Sequence, residues 1–207
     1  MSRPVVIVTG LIGSGKSAVC ALLRERGLPV YDCDLRAKEL YNRRPALLPA
    51  LETALGMPLR GKDGQLDRAV LAGRIFSDDA ARETVEALLY PELLKDIKRW
   101  RSRQKGAPFV VIESAVILTK PVFDGLADAV VAVTAPEELR MKRVMQRDAS
   151  SEDQVLRRMA AQVLPLDKAD VVIENSGSPE ALKTAVQHTF FDKNSYLCKI
   201  LNTEIQA

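Results

Sequence analysis

Apolar positions along the chain fall into two kinds of segment that follow each other in turn. Short runs rich in β-branched residues are typical of strands buried on both faces of a sheet, and they occupy residues 4–9, 29–31, 109–112, 129–133 and 171–173. Segments with helical spacing of apolar residues lie between them, at 16–26, 80–103, 136–146, 152–162 and 179–189. This alternation predicts an α/β fold with a mostly parallel, five-stranded sheet.

One long stretch departs from the alternation. Residues 36–105 carry helical patterns and turn signals such as Lys62-Asp63-Gly64, but no convincing strand. The stretch is therefore predicted to be a helical insertion between the second and third strands. Neither an internal repeat nor a flexible linker is visible, so residues 1–207 are expected to form a single domain. The mixed pattern of residues 192–207 predicts no function.

Composition and charge narrow the class of protein without identifying it. Apolar residues make 47% of the 207 positions and charged residues 28%, which is average globular usage and excludes disordered, collagen-like and coiled-coil chains. A net charge of +3 is too small to favour a nucleic-acid partner, so none is expected. Cys20, Cys33 and Cys198 form no metal-like spacing with the single His188, so neither zinc nor a disulfide framework is predicted.

The first apolar run stops at a glycine loop, without the longer apolar core and cleavage site of a signal peptide. No stretch approaches the roughly 20 apolar residues that a membrane helix requires. The expectation is a cytoplasmic protein without membrane contact, either a monomer or a small homo-oligomer.

A phosphate-binding motif follows the first predicted strand. It satisfies G-x-x-x-x-G-K-[ST] with Gly10, Leu11, Ile12, Gly13, Ser14, Gly15, Lys16 and Ser17. A P-loop must leave a buried strand and enter a helix, because its backbone N–H groups and the helix N-terminus point at nucleotide phosphates. The flanking segments supply that strand and helix. Lys16 is expected to reach the β- and γ-phosphates of a nucleotide, and the Ser17 hydroxyl to bind Mg²⁺.

Acidic residues follow two of the other strands, at the sheet edge where ligands bind in such folds. Asp32 and Asp34 could orient or deprotonate an acceptor hydroxyl, with Asp34 the stronger candidate. The alternative for Asp34 is an N-cap of a helix that starts near Leu35. Glu113 ends the third strand, where an acid would contact Mg²⁺ through water, or it is simply a solvated strand-end carboxylate.

Basic residues cluster on the helical segment ELRMKRVMQRD. Arg140, Arg143 and Arg147 are spaced i, i+3, i+7, so their guanidiniums share one face that could close over a polyphosphate. Arg157 and Arg158 could extend the same surface. A solvated basic face explains such spacing equally well, and the sequence leaves both explanations open.

Taken in order, these motifs resemble one known family. The segments VTGLIGSGKS, GLPVYDCDLRAKEL, GQLDRAVLAGRIF, ALLYPEL, ESAVIL, LRMKRVMQRD and ADVVIENSG are similar in order and interval to those of dephospho-CoA kinases, over about residues 5–188. The resemblance implies a three-layer P-loop fold with a CoA-binding helical insertion at about 36–105 and a lid at about 140–168. It also implies ATP-dependent phosphorylation of the 3′-hydroxyl of dephospho-CoA, the last step of coenzyme A synthesis.

The resemblance also implies roles for single residues. Asp34 matches the acceptor-activating acid, and Arg68 and Tyr90 lie on the acceptor side. Lys16 and Arg140 match residues that stabilise the transferring phosphoryl group. The positions implied to bind ATP, besides the loop itself, are Arg143, Arg147, Asn175 and Gly177.

Some positions depart from the family pattern. Leu11 and Thr119 replace a glycine and an acid, Tyr90 replaces the histidine of a His-Pro pair, and the segment after Gln162 is shorter than usual. These departures leave two alternatives open: a P-loop kinase with another small hydroxyl acceptor, such as a nucleoside or nucleotide, or an ATP-binding module without catalysis.

Overall fold

The computed structural model describes residues 3–201. The chain forms two compact units, one made of the residues up to Asp32 and from Arg101 onward, the other of Cys33–Trp100. Its helices are α1 Lys16–Glu25, α2 Cys33–Arg43, α3 Leu47–Leu55, α4 Arg68–Ser77, α5 Asp79–Arg103, α6 Glu137–Asp148, α7 Glu152–Ala160, α8 Pro179–Phe190 and α9 Tyr196–Leu201.

The first unit is built on one sheet. Its strands are β1 Val5–Thr9, β2 Val30–Asp32, β3 Val110–Glu113, β4 Ala129–Thr134 and β5 Val171–Glu174, in the order β2-β3-β1-β4-β5. All four pairings are parallel. The predicted α/β fold with five strands is therefore confirmed, and its sheet is parallel throughout.

The strand order positions a ligand site. The chain leaves β1 towards β2 on one side and leaves the neighbouring β3 towards β4 on the other. Ligands bind at the carboxyl ends of strands where connections diverge in this way. The register pairs Val8 of β1 with Glu113 of β3, and Asp32 of β2 with the same Glu113. Both acids thus lie at the edge where the loop after β1 begins.

Burial explains why the strands read as continuous apolar runs. Every residue of β1 and β3 is buried, since helices cover this sheet rather than solvent. An apolar cluster of this unit joins the strands to α1 and α8, with Phe109 and Phe190 at 0% exposure. Leu197, Cys198 and Leu201 of α9 belong to the same cluster. The segment from 192 to 201 therefore completes the core, whereas residues 202–207 lie outside the described residues.

The second unit is helical. In residues 33–100, all of which the structure describes, the one extended pairing is an isolated antiparallel bridge between Arg60 and Leu66, across the turn predicted at Lys62-Asp63-Gly64. Arg36 of α2 donates to Asp96 of α5 at 2.8 Å, which joins the first helix of the unit to the last. The helical content agrees with the sequence pattern of this stretch.

The junction of α6 and α7 contains a backbone strain point. Ala149 has φ 49°, the one positive φ at a non-glycine residue within 3–201. A left-handed backbone conformation costs a residue with a side chain roughly 1–2 kcal/mol, and glycine avoids this cost. Part of the gain is lost because glycine has a larger conformational entropy in the unfolded state. We expect Ala149→Gly to raise the free energy of unfolding by about 0.5–1 kcal/mol in urea denaturation. Ala87→Gly, at an exposed position inside α5, is the control and should lower it by a similar amount.

Candidate active site

The loop between β1 and α1 turns tightly and leaves a helix N-terminus open. The Ser14 N–H donates to the Leu11 carbonyl at 3.1 Å. Gly15 is the N-cap of α1 with φ 96°, and no side chain caps the helix there. The first N–H groups of α1 are therefore available to an anion, as a P-loop requires.

Close packing explains two of the loop glycines. Gly13 has φ 78°, and a Cβ there would lie 2.5 Å from the backbone oxygen of Arg140. A Cβ on Gly15 would overlap the side-chain amide of Asn175. Real Cβ atoms do not approach so closely, so α6 and the loop after β5 press directly on the P-loop backbone. Both positions therefore require glycine for reasons of protein packing as well as phosphate approach.

Glu113 contacts the polar residues at the start of α1. Its carboxylate is 5% exposed and accepts from the Ser17 hydroxyl at 2.6 Å, with the Lys16 ammonium 3.5 Å away. Arg24, two turns further along α1, lies 3.6 Å from the other carboxylate oxygen. The structure thus brings together three residues predicted for phosphate and metal binding, and it excludes a solvated strand-end role for Glu113.

Arg24 was not predicted from the sequence. It follows Lys16 by eight residues and so lies on the same face of α1, with Cys20 between them. Burial raises the pKa of the Cys20 thiol, and the neighbouring Glu113 carboxylate raises it further, so Cys20 stays neutral beside the cluster. The spacing 16, 20, 24 was the signal that could have revealed this face.

Two of the three predicted arginines of α6 meet the P-loop. Arg143 donates to the Gly13 carbonyl at 3.4 Å, and the backbone of Arg140 packs on Gly13. The Arg140 side chain is 9% exposed, and its Nε donates to the Ala135 carbonyl at 3.2 Å. One terminal nitrogen, Nη1, is buried without a hydrogen-bond partner among the described residues. Arg140 therefore holds a buried donor that a phosphate oxygen would satisfy.

Arg147, the third arginine, is engaged elsewhere. It makes two hydrogen bonds to Asp148, at 2.7 and 3.0 Å, and Arg158 of α7 donates to the same carboxylate at 2.6 Å. The Arg147 hydrogen bonds, followed by that of Arg158, hold the pKa of Asp148 well below its usual range. Asp148 thus bridges the basic residues of the two helices.

This bridge gives a pH-dependent contribution to stability. Because the folded-state pKa of Asp148 is lowered, its contribution is present above the unfolded pKa near 4 and disappears as the pH falls. We expect Asp148→Asn to lower the free energy of unfolding by at most about 1 kcal/mol at pH 7, since the pairs are exposed, and by less below about pH 4. Urea denaturation at both pH values measures this difference. Asp124→Asn, at an exposed carboxylate between β3 and β4, is the control and should change the free energy of unfolding by less than about 0.5 kcal/mol at either pH.

The loop after β5 braces the P-loop. Asn175 is 6% exposed, and its side-chain amide donates to the Ser14 carbonyl at 2.8 Å. Gly177 lies just before Ser178, the N-cap of α8. A contact of Asn175 or Gly177 with the adenine of ATP, implied by the family resemblance, remains a prediction.

Residues predicted for the acceptor come together within the second unit. Asp34 lies inside the first turn of α2, which begins at Cys33, so it is not the N-cap of a helix starting near Leu35. The charge of Asp34 contributes to a raised pKa of Tyr90, for which burial is the main cause, and Tyr90 donates to Glu86 at 3.1 Å. The Asp34 carboxylate therefore lies near enough to Tyr90 to act on it electrostatically.

Tyr41 links this group to Arg68 and was not predicted. Burial raises the pKa of Tyr41 to about 12, against the opposing charge of Arg68, and Tyr41 also influences Tyr90. Tyr41 follows Asp34 by seven residues on α2, which places both on one face of the helix. Asp34, Arg68 and Tyr90, predicted separately from the resemblance, thus form one electrostatically linked cluster with Tyr41: Arg68 acts on Tyr41, and Tyr41 and Asp34 act on Tyr90.

The residues present suit a nucleotide with Mg²⁺. The Glu113 Oε2 and Ser14 Oγ atoms are buried without a hydrogen-bond partner in the described part of the chain, so each has capacity for a further contact. No group of three or more His, Cys, Asp or Glu side chains within residues 3–201 could hold a metal by itself. Protein sites for Mg²⁺ commonly use one or two side chains completed by water and phosphates, which Ser17 and Glu113 match.

Comparison with known proteins shows which family this chain belongs to. A model of the dephospho-CoA kinase family matches residues 4–180. The chain belongs to the dephospho-CoA kinase family. The dephospho-CoA kinase of Porphyromonas gingivalis is 41% identical over 155 residues, 75% of each chain, and that of Thiobacillus denitrificans is 37% identical over 182 residues, 86% of this chain and 90% of the relative.

Solved structures agree with the family in fold. A crystal structure from Thermus thermophilus is 35% identical, covers 90% of this chain and 96% of its own, and has a TM-score of 0.77. The dephospho-CoA kinase of Campylobacter jejuni, 24% identical, covers 88% and 92% with a TM-score of 0.62 and supports the fold alone. The resemblance drawn from the ordered motifs is therefore confirmed, and the chain is a member of a kinase family. No helix within residues 3–201 is long and apolar enough to cross a membrane.

Proposed function

We propose that this chain phosphorylates the 3′-hydroxyl of dephospho-CoA with ATP, giving coenzyme A and ADP, the last step of coenzyme A synthesis. Membership of the dephospho-CoA kinase family supports this activity. The observation that carries it is the convergence of Lys16, Ser17 and Glu113 at the P-loop. The acidic and aromatic cluster of Asp34, Tyr41 and Tyr90 supplies a separate candidate for the acceptor.

The residues that bind ATP are proposed to act by placing positive charge and N–H donors around its phosphates. The N–H groups at the start of α1 bind phosphate oxygens, and Lys16 neutralises charge that develops on the transferred group. Arg140 offers its buried, unpartnered Nη1 to the same group. Arg143 and Arg147 are proposed to bind ATP, and Arg147 would first have to exchange its hydrogen bonds to Asp148. Arg140, Arg143 and Arg147 belong to the lid that we propose at about residues 140–168.

The acceptor side is proposed to act through Asp34. Its carboxylate orients the 3′-hydroxyl and takes up its proton as the bond from the 3′-oxygen to the γ-phosphorus forms. The bond from that phosphorus to the β–γ bridging oxygen breaks, and ADP leaves. Arg68 and Tyr90 are proposed to bind dephospho-CoA within the helical insertion at about 36–105.

A magnesium ion is proposed to complete the site. A bound Mg²⁺ would neutralise part of the phosphate charge. The Ser17 hydroxyl would bind it directly and Glu113 through water. The hydrogen bond between Ser17 and Glu113 keeps both oxygens at the P-loop. We further propose a cytoplasmic location, which suits three buried free cysteines, and a monomer or small homo-oligomer.

An acceptor panel tests the proposal. ADP release is measured by a coupled assay with dephospho-CoA, adenosine and adenosine monophosphate as separate acceptors, and without an acceptor. The proposal predicts release that depends on dephospho-CoA and exceeds the release with either alternative. Preference for a nucleoside or nucleotide would assign another acceptor, and acceptor-independent release would favour an ATP-binding module.

A further inference from the structure

One P-loop residue is held by a contact that the phosphate-binding motif does not explain. The Ile12 N–H donates to the side-chain oxygen of Gln162 at 2.7 Å. Any residue is allowed at position 12 of the motif, so the motif alone does not account for this contact. Gln162 is half-buried just after α7, where its own N–H donates to the Met159 carbonyl at 3.2 Å. A side chain anchored to the end of α7 thus fixes a backbone amide of the P-loop.

The side chain of Ile12 makes a second contact with the same helices. Val144 of α6 and Val155 and Met159 of α7 form a small buried cluster, separate from the core cluster around the sheet. Ile12 packs against it, together with Met141 and Met145. The apolar faces of α6 and α7 therefore meet each other and a residue of the P-loop.

The next residue of the loop is held from α6. Arg143 donates to the Gly13 carbonyl at 3.4 Å, and the Arg140 backbone packs where a Cβ of Gly13 would lie. Ile12 and Gly13 are thus fixed from both helices. The amide of Ile12 is occupied by Gln162, whereas the open N-terminus of α1 follows three residues later.

We propose that Gln162 is a positioning residue for ATP binding: its amide oxygen, with the packing of Ile12, holds the first half of the P-loop in its binding conformation and couples it to α6 and α7. This inference rests on the proposed function only in taking ATP as the ligand. Without Gln162, the partly buried Ile12 N–H has no side-chain acceptor, and the loop must rearrange or leave that donor without its partner.

The test compares Gln162→Met with Gln146→Met, a matched change at an exposed residue of α6. Isothermal titration calorimetry with ATP and Mg²⁺ measures affinity without activity. We expect about tenfold weaker binding for Gln162→Met and a change of less than about twofold for the control. In steady-state assays the KM for ATP should rise while the KM for dephospho-CoA stays unchanged, a split that general destabilisation would not produce.

Hydrogen exchange of the loop provides a readout that needs no ligand. The Ile12 amide should exchange at least about tenfold faster in Gln162→Met than in wild-type protein. Gln162→Glu retains an acceptor oxygen at that position and should restore protection of this amide. This variant also keeps the proposal testable if Gln162→Met folds poorly.

A double-mutant cycle with Ile12→Ala tests whether Gln162 and Ile12 stabilise the same conformation of the P-loop or act independently. If Gln162 and Ile12 hold the same loop conformation, their effects on ATP affinity are less than additive. ATP affinity within twofold of wild type and unchanged Ile12 exchange in Gln162→Met would overturn the proposal. Failure of the wild-type protein to phosphorylate dephospho-CoA would overturn the proposed acceptor alone, since the affinity comparison decides the role of Gln162 independently.

Discussion

Replacing Asp34 with asparagine is expected to lower the turnover of dephospho-CoA phosphorylation by at least about a hundredfold, while ATP affinity stays within about twofold. Loss of a group that orients or deprotonates the acceptor commonly costs a factor of 10² to 10⁴. Asparagine preserves size but cannot accept the proton of the 3′-hydroxyl. Steady-state turnover with saturating ATP and dephospho-CoA, together with ATP titration calorimetry, measures both halves of this expectation.

The control for this change is Asp79→Asn, at a carboxylate in the same unit whose side chain is 82% exposed. It should leave turnover within about twofold of wild type. The Asp34 variant should also lower the pKa of Tyr90, because the Asp34 charge contributes to raising it. Ultraviolet titration of the tyrosines checks that contact without activity. Turnover unchanged in Asp34→Asn would remove Asp34 from the mechanism.

Replacing Lys16 with methionine is expected to lower kcat/KM for ATP by about a hundredfold to a thousandfold. One donor placed at developing charge contributes on that scale. Unlike the change at Asp34, this one should also weaken ATP binding, because Lys16 is proposed to contact the phosphates before and during transfer. Calorimetry with ATP and a steady-state assay on the same preparation distinguish the two variants.

The ion pair between Lys16 and Glu113 complicates this variant and supplies its control. Removing Lys16 leaves the 5% exposed Glu113 with one cationic partner fewer, so some stability should be lost. The double change Lys16→Met with Glu113→Gln removes both charges and should recover part of the stability but none of the activity. Lys183→Met, on the exposed face of α8, should leave both properties unchanged. ATP affinity preserved in Lys16→Met would contradict the assignment of Lys16.

The sheet and the P-loop could be predicted because both depend on local sequence. Continuous apolar runs place β1 to β5 within a residue or two of their observed bounds. For β1, β3 and β4 the reason is that strands buried on both faces have few polar positions. The prediction of burial on both faces is wrong for the edge strand β5, since Val172 is 53% exposed. The P-loop is read from its fixed residues and from the strand and helix beside it. The position of Glu113 near the P-loop could be predicted because it ends a strand, and the carboxyl ends of parallel strands share one edge of the sheet.

Contacts that depend on the approach of distant segments could not be predicted in the same way. Arg24 reaches Glu113 only because α1 crosses the end of β3, and Gln162 meets Ile12 only because α6 and α7 fold onto the P-loop. Tyr41 joins the acceptor cluster through residues that lie far along the chain. The mixed pattern of α9 concealed three core residues, since a helix of six residues has too few turns to show its period.

The central claim is that the chain transfers a phosphoryl group to the 3′-oxygen of dephospho-CoA. The most direct measurement incubates the purified protein with ATP, Mg²⁺ and dephospho-CoA and identifies the product by mass spectrometry and phosphorus NMR. The account predicts a product with one added phosphoryl group on the 3′-oxygen, identical to authentic coenzyme A and formed with an equal amount of ADP. ADP formed without a phosphorylated acceptor, or a phosphoryl group at another position, would contradict it.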